Sequence, residues 1–277
     1  MVTPTASPEA TPTPSPVATP TASPDTVQKP TEPLPSGGNL FYNGNRAIPE
    51  IALTFDDGPN PPYTDQILAI LQHYGVHATF FCVGRLVQAY PTLVEQEFTQ
   101  GNLVENHTWG HPYLPYLSGP SIIWQLTTTT NAIQGVTGVR PIFFRPPYGA
   151  FNASVLAYAN QFGLTTILWD VDPRDWSIPG VNVIVARVRA QTQNGSIILM
   201  HDGGGNRSQT VAALPAIIEW YQQHGFRFVT LQQLVNDFNQ KAASSTSVTT
   251  LSSSPTSVET APVPTQSEVW RRRTDVV

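Results

Sequence analysis

Acidic and histidine side chains directly follow short apolar stretches at several points of this sequence. Asp56 and Asp57 come after the largely apolar run 51–55, and the short predicted strand 103–105 precedes His107 and His111. Adjacent carboxylates repel each other unless a metal ion or an arginine compensates their charge. One aspartate with two histidines supplies three ligands and an open position, as in catalytic zinc sites. A metal held there would polarise a carbonyl and lower the pKa of a water ligand to about 7.

Each of these pairs also has a purely structural interpretation. Asp-Gly-Pro is a good turn sequence by itself, so the two aspartates could simply begin a loop. Two histidines four residues apart lie on one face only if the turn between them is helical. His73 and His77 share this spacing. They flank a glycine at a predicted helix end and have no carboxylate beside them, so we interpret that pair as structural.

Three further apolar stretches end in groups that could complete such a site. Arg145 follows two phenylalanines, where an unpaired charge is costly, so it needs an acidic partner such as Asp56. His201 is suited to general acid–base work, although it could equally cap the glycine-rich loop that follows it. The remaining stretch leads into a site wall or a charged surface loop that contains Asp170, Asp172, Asp175 and Trp176.

Apolar runs of strand length alternate with amphipathic stretches of helix length through the middle of the chain. Repeated strand–helix units predict a parallel sheet, and hence an α/β fold: a distorted (β/α) barrel of about seven parallel strands, with an open doubly wound sheet as the alternative. Since the active sites of such barrels lie at the C-terminal strand ends, we expect the polar groups to meet there. The predicted strands are 51–55, 79–83, 103–105, 142–144, 164–169, 196–200 and 226–230; the predicted helices are 64–74, 87–99, 121–134, 152–163, 183–192 and 208–223, and the segment 231–238 closes the domain.

Composition divides the chain into three parts. Ten of the 27 prolines lie in the first 36 of 277 residues, which predicts a disordered Pro/Thr/Ser-rich linker over 1–37, a folded domain over 38–239 and a disordered Ser/Thr-rich tail over 240–277. The folded part has 13 acidic residues, nine arginines and no lysine, which argues against nucleic-acid binding. No apolar run is long enough for a transmembrane helix. The single cysteine, Cys82, excludes an intrachain disulfide and is interpreted as a buried structural thiol.

The residues singled out above belong to five short motifs that occur in the same order in a known family. They are 54–59 (TFDDGP), 107–111 (HTWGH), 145–148 (RPPY), 172–176 (DPRDW) and 199–201 (LMH). Through these motifs the sequence resembles the NodB-like polysaccharide deacetylases of carbohydrate esterase family four, over about residues 48–238. The resemblance implies a distorted (β/α) barrel and assigns the folded domain to that catalytic type.

The resemblance, carried over residue by residue, also implies a metal site and a base. Asp57, His107 and His111 would bind a divalent metal, usually Zn²⁺. The same ligands also suit Co²⁺ or Ni²⁺. Asp56 would be the general base on the attacking water, held and tuned by Arg145.

The remaining implied roles concern the leaving amine and the acetyl group. His201 would be the general acid, oriented by Asp175. The backbone N–H of Tyr148 would join the metal in stabilising the oxyanion. Trp176 and Leu199 would line the pocket that holds the acetyl methyl, next to Tyr148.

Together these features predict a metal-dependent hydrolase that removes N-acetyl groups from N-acetylglucosamine residues of a polysaccharide, with peptidoglycan as the favoured substrate. Chitin, chitooligosaccharides and acetylxylan are alternatives for the same site, and an inactive glycan-binding module is a remote one. No signal peptide is visible at the start of the chain. Since spacers of this composition usually join extracellular modules to a signal peptide or anchor, we expect an extracellular or cell-wall location and a trimmed start.

Overall fold

The structure, a computed structural model, describes residues 40–240. The linker predicted over 1–37 and the tail predicted over 240–277 lie outside this range, apart from residue 240. The strands are Leu40–Phe41 (β1), Glu50–Asp56 (β2), Thr79–Cys82 (β3), Leu103–Asn106 (β4), Phe143–Phe144 (β5), Thr165–Ile167 (β6), Ser196–His201 (β7) and Arg227–Phe228 (β8). The helices are Tyr63–Tyr74 (α1), Gly84–Ala89 (α2), Pro91–Thr99 (α3), Gly119–Thr137 (α4), Ala153–Gln161 (α5), Val181–Gln191 (α6) and Ser208–Gln223 (α7), with a further helix from residue 231.

All the paired strands are parallel, and six of them form a closed ring. The order in the sheet is β1-β6-β5-β4-β3-β2-β7, with β8 added at the start of β2. Val171, just after β6, pairs with Ile198 of β7. Its N–H donates to the Ile197 carbonyl at 3.2 Å, and its carbonyl accepts from the Leu199 N–H at 2.9 Å. This pairing joins the ends of the ring, so the fold is the predicted distorted (β/α) barrel and the open sheet is excluded.

The central strand β2 is buried along its whole length and sorts its side chains by alternation. Ile51, Leu53 and Phe55 pack in the apolar layer shared with the helices, whereas Ala52 belongs to a second cluster with residues of β3, β5, β6 and β7. Since successive side chains of a strand point to opposite faces, Asp56 shares the interior face with Ala52. That alternation aims Asp56 into the barrel rather than at the helices.

The observed elements differ from the predicted ones at two points. The strand β1 was not predicted, because two residues are too few for a periodic signal. The predicted helix 87–99 is two helices, α2 and α3, which meet at Tyr90. Pro91 is the reason, since proline has no N–H to continue a helix but fits well at the first position of a new one.

Candidate functional site

Polar groups from several strand ends meet at the C-terminal rim of the barrel. β2 and β7 pair with Asp56 opposite His201, and His107 and Arg145 directly follow β4 and β5. Parallel strands bring their C-terminal ends to the same edge, so residues distant in the chain become neighbours. The meeting expected from the strand–helix alternation is therefore present.

Asp57, His107 and His111 form a cluster in which one ligand atom of each lies within 4.8 Å of the others. The Asp57 Oδ1 atom is 3.1 Å from His111 Nε2 and 3.5 Å from His107 Nε2. Burial raises the pKa of Asp57, but the two neighbouring histidines outweigh burial and hold that pKa below its usual range. A carboxylate oxygen and two imidazole nitrogens that converge in this way fit a divalent cation such as Zn²⁺.

From their spacing alone, His107 and His111 were expected to face the same side only if the turn between them were helical. The structure brings them together without such a turn. Residues 107–111 are not helical, and the backbone of Thr108 (φ 66°) and of His111 (φ 58°) lies in the left-handed region. The Thr108 hydroxyl accepts from the His111 N–H at 3.1 Å. This tight loop brings the two imidazole centroids to 4.9 Å. Asp57 also has a positive φ of 75°, so local loop geometry places both ends of the cluster.

A hydrogen bond at the back of His107 sets which of its nitrogens faces the cluster. The Nδ1 atom lies 2.7 Å from the Arg145 carbonyl oxygen. Because a carbonyl can only accept, Nδ1 carries the proton and donates it. The lone pair of a neutral His107 is then on Nε2, the nitrogen that faces Asp57. Such a backbone partner is the usual way in which a metal-binding histidine is oriented.

Arg145 is fully buried and forms an ion pair with Asp56, the acidic partner proposed from the sequence. Its Nη1 atom donates to Asp56 Oδ1 and to the Thr54 hydroxyl, both at 2.7 Å. The remaining guanidinium donors reach the carbonyl oxygens of Ile167 and Leu168 at 3.3 and 3.2 Å. A charge this deep needs all these partners to offset its lost hydration. The network holds Asp56 so that its second oxygen, Oδ2, lies 3.8 Å from His107 Nε2.

His201 is held by Asp175 through two hydrogen bonds. Its Nδ1 atom lies 2.8 Å from Asp175 Oδ1, and its backbone N–H donates to Asp175 Oδ2 at 2.9 Å. The Thr210 hydroxyl donates to the same Oδ2 at 2.7 Å. Burial lowers the pKa of His201, but Asp175 outweighs burial and raises that pKa above its ordinary value. The pKa of Asp175 is lowered, since its bonds to His201 outweigh its own burial.

The acidic stretch that precedes His201 in the chain is divided between two places. Asp175 joins the site, but Asp170 does not, because it pairs with Arg46 at 2.6 Å and accepts from the Ile197 N–H at the start of β7. Asp172 accepts from the Arg174 N–H at 2.8 Å and shapes its own turn. The prediction of a site wall made of three acids is therefore wrong for Asp170, and for Asp172 it stays a prediction. Asp175 is the one of the three that contacts His201.

The three residues proposed to contact the acetyl group differ in their positions and in how far they are exposed to solvent. Tyr148 adopts a positive φ of 61° and its ring lies 4.7 Å from the His111 ring. Trp176 is exposed and Leu199 is buried. Leu199 shares the interior face of β7 with His201, two residues later.

Three residues with no sequence-based role also support the site. Asp202 accepts from the Thr64 hydroxyl at 2.6 Å, and its N–H donates to the Asp56 carbonyl at 3.1 Å. Its carboxylate fills the space where a Cβ at Gly58 would lie, so glycine is required there. Arg207 donates to the Gly203 carbonyl and to the Trp176 carbonyl, the latter at 3.4 Å. Thr210, the third, donates to Asp175. Most of these contacts join residues far apart in the chain, so no local sequence pattern predicts them.

The other titratable residues singled out in the sequence lie elsewhere. Cys82 is buried, as predicted for a structural thiol, and its Sγ atom lies 3.3 Å from Glu97 Oε2. His73 belongs to the end of α1 and packs edge-on against Tyr74, at a centroid distance of 5.0 Å. Within residues 40–240, no helix is long and apolar enough to cross a membrane.

Comparison with known proteins adds family and structural relatives. The sequence profile described as "Polysaccharide deacetylase" matches residues 43–167. A peptidoglycan-N-acetylglucosamine deacetylase of Bacillus cereus is 42% identical over 187 residues, which are 67% of this chain and 87% of that protein. A chitooligosaccharide deacetylase of Rhizobium leguminosarum bv. trifolii is 41% identical over 194 residues, 66% of this chain and 90% of that protein. The structure is also similar to the crystal structure of a carbohydrate esterase family four pseudoenzyme from Bacillus anthracis, with a TM-score of 0.68 and 31% sequence identity. The match covers 72% of this chain and 69% of the pseudoenzyme chain.

Proposed function

This chain belongs to the polysaccharide deacetylase family, and on that premise we propose that it is a metal-dependent hydrolase of N-acetyl groups on the N-acetylglucosamine residues of peptidoglycan. One observation carries the proposal. A three-ligand cluster, a buried arginine–aspartate pair and a histidine–aspartate pair converge on one rim. The relative from Bacillus anthracis is called a pseudoenzyme, so family membership alone does not establish turnover and the proposal rests on the complete set of side chains.

Amide hydrolysis needs an activated water, stabilisation of the oxyanion and a proton for the departing amine. We assign Asp57, His107 and His111 to a divalent metal, with Zn²⁺ the first choice and Co²⁺ or Ni²⁺ as alternatives. When bound, such an ion polarises the acetyl carbonyl and acidifies water. The donor set fits this assignment, since three ligands leave room for water and for a carbonyl oxygen.

Asp56 is proposed as the general base. One of its oxygens is occupied by Arg145, while Oδ2 faces the ligand cluster from 3.8 Å, measured to His107 Nε2. A water held at the cluster can therefore pass its proton to Oδ2. Arg145 keeps the carboxylate in this orientation through its hydrogen bond to Oδ1.

His201 is proposed as the general acid. Its Nδ1–H is committed to Asp175, which leaves the proton on Nε2 as the one that can reach a departing amine. The raised pKa keeps the imidazolium populated nearer neutral pH than an ordinary histidine would. Acid and base thus have separate partners, Asp175 for His201 and Arg145 for Asp56.

The acetyl group itself is proposed to lie against three residues. The backbone N–H of Tyr148 is assigned to the oxyanion. Trp176 and Leu199 are assigned to the walls around the acetyl methyl. Arg207 supports this arrangement, because it holds the Trp176 carbonyl from a nearly buried position.

The relatives and the leaving group both favour an N-acetylated glycan as the substrate. The relatives are named as peptidoglycan and chitooligosaccharide deacetylases, which favours N-acetylated glycans over acetylxylan. A positioned general acid also favours an amide over an ester, since an alkoxide leaves with less help than an amine. Peptidoglycan as substrate would place the protein at the cell wall, outside the membrane.

The proposal is tested by acetate release from metal-loaded protein. We expect acetate from peptidoglycan and from N-acetylglucosamine oligomers, its loss with a chelator and its return with added Zn²⁺. Acetylxylan serves as the ester comparison. If metal-loaded protein releases no acetate from any of the three, the proposed activity is wrong and a glycan-binding module becomes the better interpretation.

Asp175→Asn is expected to shift the pH profile of the enzyme. Without the carboxylate, the raised pKa of His201 falls, so the protonated form is lost at lower pH and the alkaline limb of kcat/KM moves to lower pH. At neutral pH, kcat falls by up to the about 10²–10⁴-fold that a general acid contributes. Rates on N-acetylglucosamine oligomers across pH measure this. Asp172→Asn is the control, since its carboxylate accepts from the Arg174 N–H and not from His201. An unmoved alkaline limb in Asp175→Asn would exclude the assigned pair.

A further inference from the structure

A row of exposed tyrosines leads away from the proposed metal cluster. The Tyr148 ring lies 4.7 Å from the ring of His111 and 6.2 Å from that of Tyr113, and the Tyr113 ring lies 4.7 Å from that of Tyr116. The exposed fractions of Tyr113, Tyr148 and Tyr116 are 44%, 67% and 87%. We call Tyr113, Tyr116 and Tyr148 the tyrosine platform. It is continuous with the rim, because one of its rings contacts a proposed ligand.

The local fold explains why Tyr113 and Tyr116 lie side by side. They flank and end a 3-10 turn, Leu114–Tyr116, in which side chains three residues apart eclipse each other. Leu114 points the other way and is fully buried in an apolar cluster beneath the turn. The Tyr116 N–H donates to the Tyr113 carbonyl at 3.3 Å. Pro115 restricts the backbone further, so the two rings are held in place before any ligand arrives.

Tyr148 is held by a second tight turn. It lies in Pro147–Gly149, where the Gly149 N–H donates to the Pro146 carbonyl and the Ala150 N–H to the Pro147 carbonyl, both at 3.0 Å. Its positive φ belongs to this turn. The loop after β4 therefore contributes two preorganised rings, and the loop after β5 one, to one surface.

The chemistry of this surface suits sugar rings. A tyrosine has an apolar face and a hydroxyl tip that needs a polar partner or water. A pyranose ring likewise has an apolar C–H face and a rim of hydroxyl groups. Neutral aromatic faces in a row match a chain of neutral sugar rings better than they match a single sugar or a charged peptide.

We propose that the tyrosine platform binds sugar residues that neighbour the one being deacetylated, so that the protein acts on oligosaccharides and polymers in preference to short fragments. This inference rests on the proposed function, because it extends the same site. The occupant is the glycan chain whose acetyl group lies at the metal cluster. Affinity then rises with the number of sugar rings until the platform is covered.

The test compares N-acetylglucosamine oligomers from the dimer to the hexamer. For Tyr113→Ala and Tyr116→Ala, we expect KM to rise about three- to tenfold on the long oligomers, the effect of one lost ring contact, and the penalty to grow with oligomer length. Tyr116→Phe keeps the ring and should retain most of the affinity. Tyr90→Ala is the matched control, because Tyr90 is also an exposed tyrosine but lies between α2 and α3 and is not part of the platform.

A binding measurement separates this inference from the proposed activity. Calorimetry of the hexamer with metal-loaded Asp56→Asn protein reports affinity without turnover, and Tyr116→Ala in that background should raise Kd about three- to tenfold. Tyrosine-dependent binding without acetate release from any variant would keep the platform and remove the activity. Acetate release with KM and Kd unchanged by both tyrosine variants at every length would overturn the platform.

Discussion

Asp56→Asn is expected to reduce acetate release by about 10²–10⁴-fold, the usual contribution of a general base, while the protein still binds its metal. An asparagine has the same shape but cannot take a proton from water. Its side-chain oxygen can still accept from Arg145 Nη1, which also keeps the Thr54 hydroxyl as a partner. The three proposed metal ligands are untouched. The loss should therefore appear in kcat, with metal content unchanged.

Thermal unfolding and a control variant distinguish a loss of the general base from a loss of folding. Breaking a buried ion pair can cost about 3–5 kcal/mol, so the thermal unfolding of the variant must be recorded beside its kinetics. Asp65→Asn makes the same change on an exposed carboxylate in the first turn of α1 and should behave as the unaltered protein. A folded, metal-loaded Asp56→Asn protein that turns over at the original rate would exclude Asp56 as the base.

His107→Ala is expected to abolish both metal binding and acetate release. The variant removes one of three proposed donors, whose Nε2 atom faces Asp57, and leaves two ligands that cannot hold the ion in a defined geometry. We expect metal affinity to fall by more than the about 10–100-fold that loss of an outer-shell partner causes. Activity falls with it, since water activation and carbonyl polarisation are lost together. Added Zn²⁺ should restore little of the rate.

The chain contains a matched control for this variant. His73 and His77 have the same spacing as His107 and His111, but His73 is exposed at the end of α1. His73→Ala should retain both metal binding, measured by calorimetric titration, and acetate release. Undiminished Zn²⁺ affinity in folded His107→Ala protein would show that the cluster is not the metal site.

The interior of the barrel explains why these two variants act on different quantities. Asp56 is tied to Arg145, and His107 is tied to the carbonyl of that same residue. One buried arginine thus orients the proposed base through its side chain and a proposed metal ligand through its backbone. Because the contacts are separate, a change at Asp56 leaves the His107 orientation in place.

The amino-acid sequence by itself determined the parallel α/β architecture and the edge at which the polar groups meet, whereas the closure into a barrel was decided by the pairing of Val171 with Ile198. Alternating strand and helix patterns predict parallel strands, and parallel strands must bring their C-terminal ends together, so the groups after each strand were bound to become neighbours. The need of Arg145 for a carboxylate also followed, with Asp56 as the candidate, since a guanidinium after two buried phenylalanines is costly without one. These inferences succeed because they depend on periodicity and on the cost of burying charge, both of which are local properties.

Only the tertiary structure decided which neighbours touch. His107 and His111 converge through a non-helical loop with left-handed residues, which no spacing rule describes. Asp170 turns away to Arg46 although Asp175 turns in. The contact of Asp202 with Gly58 and the alignment of the tyrosine platform depend in the same way on loops from different strands. Loop dihedrals and contacts between distant segments leave no periodic trace in a sequence, so they are known only when the chain is folded.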